Sequence, residues 1–184
     1  MSDPQHPFST LQQRCQQIEL LVLDVDGVLT DGRIIYGTDN LEVKAFHVRD
    51  GSGLKLWHRA GKRSAVITGR NSPVVAVRAA ELGVAHVVQG AAEKLGALRR
   101  VLVEMAVPEE AVCYVGDDLP DLAPMGRCGL AVAVADACAE VRRAAHHVTR
   151  QAGGRGAVRE VIELVLRCQG SWEALVGQLR AGSE

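Results

Sequence analysis

Aromatic side chains are scarce. Two Trp, two Tyr and two Phe make up 3% of the 184 residues, too few for a platform that stacks single-stranded nucleic acid. Net charge is scarce as well. With 21 basic and 22 acidic residues the formal charge is −1, which argues against a general polyanion binder. No apolar run approaches the roughly 20 residues of a membrane-spanning helix. The opening stretch, MSDPQHPFST, has no apolar signal-peptide core. The five cysteines, Cys15, Cys113, Cys128, Cys138 and Cys168, form no CxxC pair and are odd in number. They read as reduced packing residues. A soluble, cytoplasmic chain with no nucleic-acid and no membrane partner is expected.

What remains is a globular composition, 47% hydrophobic and 23% charged, sized for one domain over 1–184 with a real core. A loose tail is expected at 1–8 and a short helix at 9–17, capped by Ser9 or Thr10. Apolar runs predict strands at 18–25, in SAVITG, VAHVV, AVCYVGDD and LAVAV, and a last short one in HHVT. Helices are predicted at 52–60, 73–82, 92–105, 137–145 and 157–168, with another in SWEALVGQLR. The GTDN cluster predicts a hairpin within 32–48. QAGGRGA reads as a flexible loop opening the C-terminal part, 150–184. Strands alternating with helices predict an α/β fold, a doubly wound, Rossmann-like parallel sheet whose ligands sit at the carboxyl ends of the strands.

Those strand ends carry the chemistry. LVLDVDGVLTDG (21–32) runs a buried strand into Asp24 and Asp26. Residues two apart in a strand share a side, and two such carboxylates repel unless a cation or a shared proton offsets them. Gly27 then lets the backbone turn and present N–H groups to an anion. A strand end with solvated aspartates would give the same pattern, so the other strand ends must decide. One ends in Thr68, Gly69 and Arg70, where a hydroxyl and an amide can donate to a phosphate oxygen. Another ends in Gly116, Asp117, Asp118 and Asp121, an oxygen-rich set suited to magnesium. Asp118 could equally be a helix cap. Lys94, early on a helix, could equally be a solvated surface group.

The order DxDG, TG, K, GDD over about 19–135 resembles the haloacid dehalogenase-like phosphatases. The resemblance implies that Asp24 is a nucleophile forming an aspartyl-phosphate and Asp26 a general acid and base. Thr68 and Lys94 would take phosphoryl charge. Asp24, Asp26 (through its backbone carbonyl) and Asp117 would hold Mg2+, with Asp118 and Asp121 in the same cluster orienting its waters or Lys94. Neither gap between motifs leaves room for a cap domain, so a macromolecular substrate or a neighbouring subunit would complete the site.

Further stretches favour the second option. DVDGVLTDG, FHVRDGSGL (46–54), ITGRNS (67–72), the LG and QG pairs within 82–90, YVGDDLPDL (114–122) and GGRGAVRE (153–160) together resemble the capless 3-deoxy-D-manno-octulosonate 8-phosphate phosphatase family over about 15–167. That resemblance implies a magnesium-dependent homotetramer built on the hairpins, acting in lipopolysaccharide sugar synthesis. It places Gly27, Arg49, Asp50, Gly51, Gly69, Arg70, Gly153 and Gly154 near a sugar-acid phosphate, with the GGRGA loop closing over it. Arg155 is a further candidate for the acid group. The hairpin's Ile34, Ile35 and Val43 could pack on a partner or on their own domain. The ending at 169–184 looks longer than the family's and could pack on the core or alter the reach of the tail. Three other readings stay open: a nine-carbon sialic-type 9-phosphate as substrate, a broadly selective phosphatase, and a non-catalytic oligomerisation module.

Overall fold

The computed structural model describes residues 10–182, so the tail expected at 1–8 and the alternative cap Ser9 lie outside it. Helix α1 (Leu11–Gln17) starts at Thr10, whose hydroxyl accepts the Gln13 N–H while the Gln13 side chain accepts the Thr10 N–H. β1 (Leu20–Leu23) follows, then a hairpin of β2 (Ile35–Tyr36) and β3 (Glu42–Val43), α2 (Val48–Arg59), β4 (Arg63–Ile67) and α3 (Pro73–Leu82). The chain continues through β5 (His86–Val88), α4 (Lys94–Met105), β6 (Val112–Gly116), α5 (Leu122–Met125) and β7 (Leu130–Ala133). It ends with α6 (Ala139–Ala144), β8 (His147–Val148), α7 (Ala157–Cys168) and α8 (Trp172–Arg180).

Six parallel strands form one sheet in the order β5-β4-β1-β6-β7-β8. β1 lies inside it, with Leu23 opposite Val66 of β4 and Val115 of β6. From β1 the chain winds outward one way; from β6 it winds outward the other. The crevice between their carboxyl ends is therefore the switch point at which such sheets bind ligands. All four β1 side chains are buried. Their burial contributes on the order of 8 kcal/mol, enough to offset the several kcal/mol that a buried carboxylate such as Asp24 costs at the strand's end.

α2 begins at Val48, four residues before the start expected from the sequence, and runs through Gly51 and Gly53. Packing overrides glycine's poor helix propensity here. A Cβ on Gly53 would stand 3.0 Å from Arg159 of α7, and one on Gly51 would strike the Arg78 guanidinium. The QAGGRGA loop is also not free. Its Gly153 and Gly154 lie so close to the backbone of Gly27, Thr30 and Asp31 that a side chain at either position would collide with it. α8 packs on α7: Trp172 and Leu175 are buried, and the guanidinium groups of Arg159 and Arg167 lie 5.0 and 5.2 Å from the Trp172 ring. No helix among the described residues is long and apolar enough to cross a membrane, and all five cysteines are free.

Candidate active site

The turn after β1 is knotted by Thr30. Its buried hydroxyl accepts the N–H groups of Gly27 and Gly32 and donates to the Val25 carbonyl, while the N–H groups of Val28, Leu29 and Thr30 also reach that carbonyl. Gly27 sits at φ +94°, and a Cβ there would overlap the Asp117 carboxylate. Glycine is thus what allows the ends of β1 and β6 to close on each other.

A cavity of about 410 Å³ opens at these strand ends, lined by Asp24, Asp26, Thr68, Lys94, Asp117 and Asp118 among others. Gly69 and Arg70 also border it. Asp24 is buried at the mouth of β1, its N–H donating to the Val115 carbonyl. Lys94, buried at the start of α4, places Nζ 2.9 Å from Asp24 Oδ2 and 2.7 Å from Asp121 Oδ1. Burial alone would lower the Lys94 pKa, but the two carboxylates raise it above the usual lysine value. It is a fixed cation rather than a surface group.

The acidic residues differ in what they have left to offer. Asp24, Asp117 and Asp121 each present a carboxylate oxygen within 4.8 Å of the others. Burial, with repulsion from Asp121, pushes Asp24 up to about 6. Burial, with repulsion from Asp24 and Asp121, pushes Asp117 up to about 8. Asp117 Oδ1 is buried without a hydrogen-bond partner. Crowded carboxylates, an orphaned oxygen and an all-oxygen donor set fit a hard divalent cation. Asp121 fits less well as a ligand. Its Oδ1 accepts from Lys94 and from the Tyr114 hydroxyl (2.9 Å), and its Oδ2 accepts from the N–H groups of Asp117 and Asp118 (3.1 and 3.3 Å). With four donors on it, Asp121 braces Lys94 and the β6 turn, the Lys94-orienting role expected for it, while it shares the carboxylate cluster with Asp24 and Asp117. Asp118 is exposed at the cavity's edge.

Other expected substrate contacts lie elsewhere in the chain. Asp50 is buried and accepts the N–H groups of Gly156 and Arg159, tying α2 to the start of α7. Gly51 is enclosed beneath Arg78. Arg49 borders a separate groove with Arg150, Arg155 and Arg159. The Gly153 and Gly154 N–H groups are taken by Asp136 Oδ1 and the Val28 carbonyl, so these glycines back the turn after β1 and do not line the cavity. Within one chain, none of these five residues reaches the Asp24 cluster.

Sequence reasoning missed the hairpin's inner face. Lys44 pairs with Asp26 Oδ1 and lies 3.4 Å from Glu42 Oε1. Arg70 donates to the Tyr36 hydroxyl at 3.0 Å and stands 3.8 Å from Asp26 Oδ2. The signal was present in EVKAF, where the spacing of Glu42 and Lys44 puts both on one face.

Comparison with known proteins points to one family of phosphatases. A family described as haloacid dehalogenase-like hydrolase matches residues 57–162. The 3-deoxy-D-manno-octulosonate 8-phosphate phosphatase of Escherichia coli is 48% identical over 165 residues, covering 90% of this chain and 88% of that protein. The crystal structure of the Moraxella catarrhalis phosphatase of the same name, in complex with magnesium, phosphate and the sugar acid, superposes with a TM-score of 0.89 at 40% identity, covering 91% and 97% of the two chains. A cobalt-bound form of the Haemophilus influenzae phosphatase superposes with a TM-score of 0.83 at 40% identity, covering 85% and 92%.

Proposed function

The chain belongs to the 3-deoxy-D-manno-octulosonate 8-phosphate phosphatase family of the haloacid dehalogenase-like hydrolases and is a phosphatase, and from that membership we propose that it releases phosphate from 3-deoxy-D-manno-octulosonate 8-phosphate through an aspartyl-phosphate. The observation that carries this reading is the convergence of Asp24, Asp26, Thr68, Lys94 and Asp117 on one cavity at the sheet's switch point. Relatives that share this name at nearly half-identity supply the substrate.

In the proposed chemistry, an Asp24 oxygen forms a bond to phosphorus as the bond to the sugar's terminal oxygen breaks. Asp26 gives that oxygen its proton. Asp26 then takes a proton from water as the water attacks phosphorus, releasing inorganic phosphate and restoring the Asp24 carboxylate. Lys94 and the Thr68 hydroxyl offset the phosphoryl charge throughout. Magnesium, the ion named in the Moraxella complex, would be held by Asp24, Asp117 and the Asp26 backbone carbonyl, where it supplies charge neutralisation for the phosphoryl group and the crowded carboxylates. Arg70, exposed at the rim, would meet the sugar acid's carboxylate.

We read the hairpin as an oligomer contact. Ile35, Leu41 and Val43 are 44%, 63% and 44% exposed on it, an apolar surface that a homotetramer would cover. A neighbour's surface would then complete the open cavity and bring arginines the single chain holds elsewhere. The reaction would supply sugar acid for lipopolysaccharide synthesis in the cytoplasm.

The test is phosphate release, with and without magnesium, from the eight-carbon 8-phosphate and from nine-carbon sialic-type 9-phosphates side by side. Preference for the eight-carbon acid by about 100-fold in kcat/KM, roughly 2.7 kcal/mol, is expected. Preference for the nine-carbon acids would keep the chemistry and change the substrate. Equal turnover on many phosphates would make it a broad phosphatase, and turnover of none would leave the oligomerisation module.

A further inference from the structure

We propose that Lys44 is a positioning residue that ties the orientation of the Asp26 carboxyl to the hairpin; the inference rests on the acid–base role given to Asp26 above. The Lys44 side chain is fully covered, and its ammonium meets Asp26 Oδ1 directly. A covered ammonium needs a partner, because an unpaired buried charge is costly. Its second partner is Glu42, whose Oε1 also lies 3.9 Å from Arg70 Nη2. The four side chains alternate in sign around Asp26: Lys44 engages one carboxylate oxygen, Arg70 lies near the other, and Glu42 sits between the two cations. Asp26 itself stands on the turn after β1, but Lys44 and Glu42 both come from the hairpin.

The hairpin cannot set its own position. Each of its strands is two residues long, and a two-stranded ribbon of that size is marginal by itself. Its inner side is fastened to the site by Lys44 at Asp26 and by Tyr36 at Arg70, while its apolar side chains are exposed. Whatever orders the hairpin therefore orders Lys44, and through it the direction in which Asp26 presents its carboxyl. The chain's nucleophile has its own brace, Lys94 with Asp121; Lys44 serves only the residue that handles protons.

This separation gives a specific test on the full chain in saturating magnesium. Lys44→Met removes the charge at similar length, and Lys44→Arg keeps it. Two substrates are compared: the octulosonate 8-phosphate, whose alkoxide needs a proton to leave, and 4-nitrophenyl phosphate, whose phenolate does not. For Lys44→Met, kcat on the sugar phosphate should fall about 30-fold with KM within about threefold, while the pre-steady-state burst of nitrophenolate stays within about threefold of wild type. Lys44→Arg should restore part of the loss. Unchanged turnover on both substrates overturns the inference. So does an equal loss that includes the burst, which would mean that Lys44 supports the nucleophile or the fold. Asp26→Asn, measured alongside, separates the possible failures. Full activity there sinks the acid–base role and this inference with it. A dead Asp26→Asn beside an unaffected Lys44→Met sinks the inference alone.

Discussion

Lys94 reaches from the first residue of α4 to place its ammonium 2.9 Å from Asp24 Oδ2, at the far end of a strand it never pairs with. The contact turns a buried carboxylate that burial pushes toward its neutral form into one held near an opposite charge. Lys94→Ala should lower kcat by about a thousandfold or more, because the phosphoryl group and Asp24 would both lose their cation. Steady-state assays of phosphate release check it, and a loss below about tenfold would show that Lys94 is only structural.

Asp24 and Asp121 share Lys94 but should fail differently. Asp24→Asn removes the proposed nucleophile and should cost at least about 10⁴-fold in turnover while the fold persists. Asp121→Ala leaves Lys94, Tyr114 and two N–H groups without their acceptor. It should cost about 3 kcal/mol in stability besides activity. Paired urea titrations and assays would separate the two. An Asp121→Ala protein as stable as wild type would refute the bracing role.

The parallel sheet was legible because β1, β4, β6 and β7 are short apolar runs that end at or near glycine or aspartate. Helix 73–82 lies where Pro73 and Gly83 put it. The start of α2 was not legible: the expected helix began at 52, and only the packing of α7 and Arg78 against Gly51 and Gly53 explains its four earlier residues. The cluster at Asp24 could be read because its residues fall at strand ends in order. The partners of Asp26 could not, because Lys44 reaches the site from a hairpin whose exposed apolar residues drew attention to its outer face. The glycines at 153 and 154 suggested mobility, but both are packed against the backbone of the turn after β1.

Gly153→Ala tests that packing. A Cβ there would run into the Gly27 carbonyl and approach the Thr30 carbonyl, at 3.1 Å. The turn carrying Asp24 and Asp26 would have to move. The substitution should destabilise the protein by on the order of 2 kcal/mol and lower kcat more than it raises KM. Wild-type kcat in a stable Gly153→Ala protein would show that the loop is not what backs the turn.

The hairpin's outer face is tested by replacing Ile35 and Leu41 with Asp together. Both are exposed in the single chain, so the monomer should fold with little change. If the hairpins form the assembly, the double variant should sediment as a smaller species than wild type and lose activity. Unaltered sedimentation would remove the hairpin from the interface.

Metal and pH should act on stability through the same two carboxylates. Asp117 is raised from 3.8 to about 8, and Asp24 from 3.8 to about 6. Between those values the folded chain holds protons that the unfolded chain has released. Stability is therefore fully present below about pH 4 as far as these groups are concerned, and it is lost as pH rises through about 6 and then about 8. A divalent cation bound between the carboxylates replaces the protons and favours both charged forms. Metal-free protein should accordingly lose on the order of 5 °C in Tm between about pH 5 and about pH 8.5, and the rise in Tm on adding magnesium should grow over the same range. Thermal melts with chelator or with magnesium across that window check both halves. A magnesium shift that is constant with pH, or largest in acid, would show that the ion does not bind at Asp24 and Asp117.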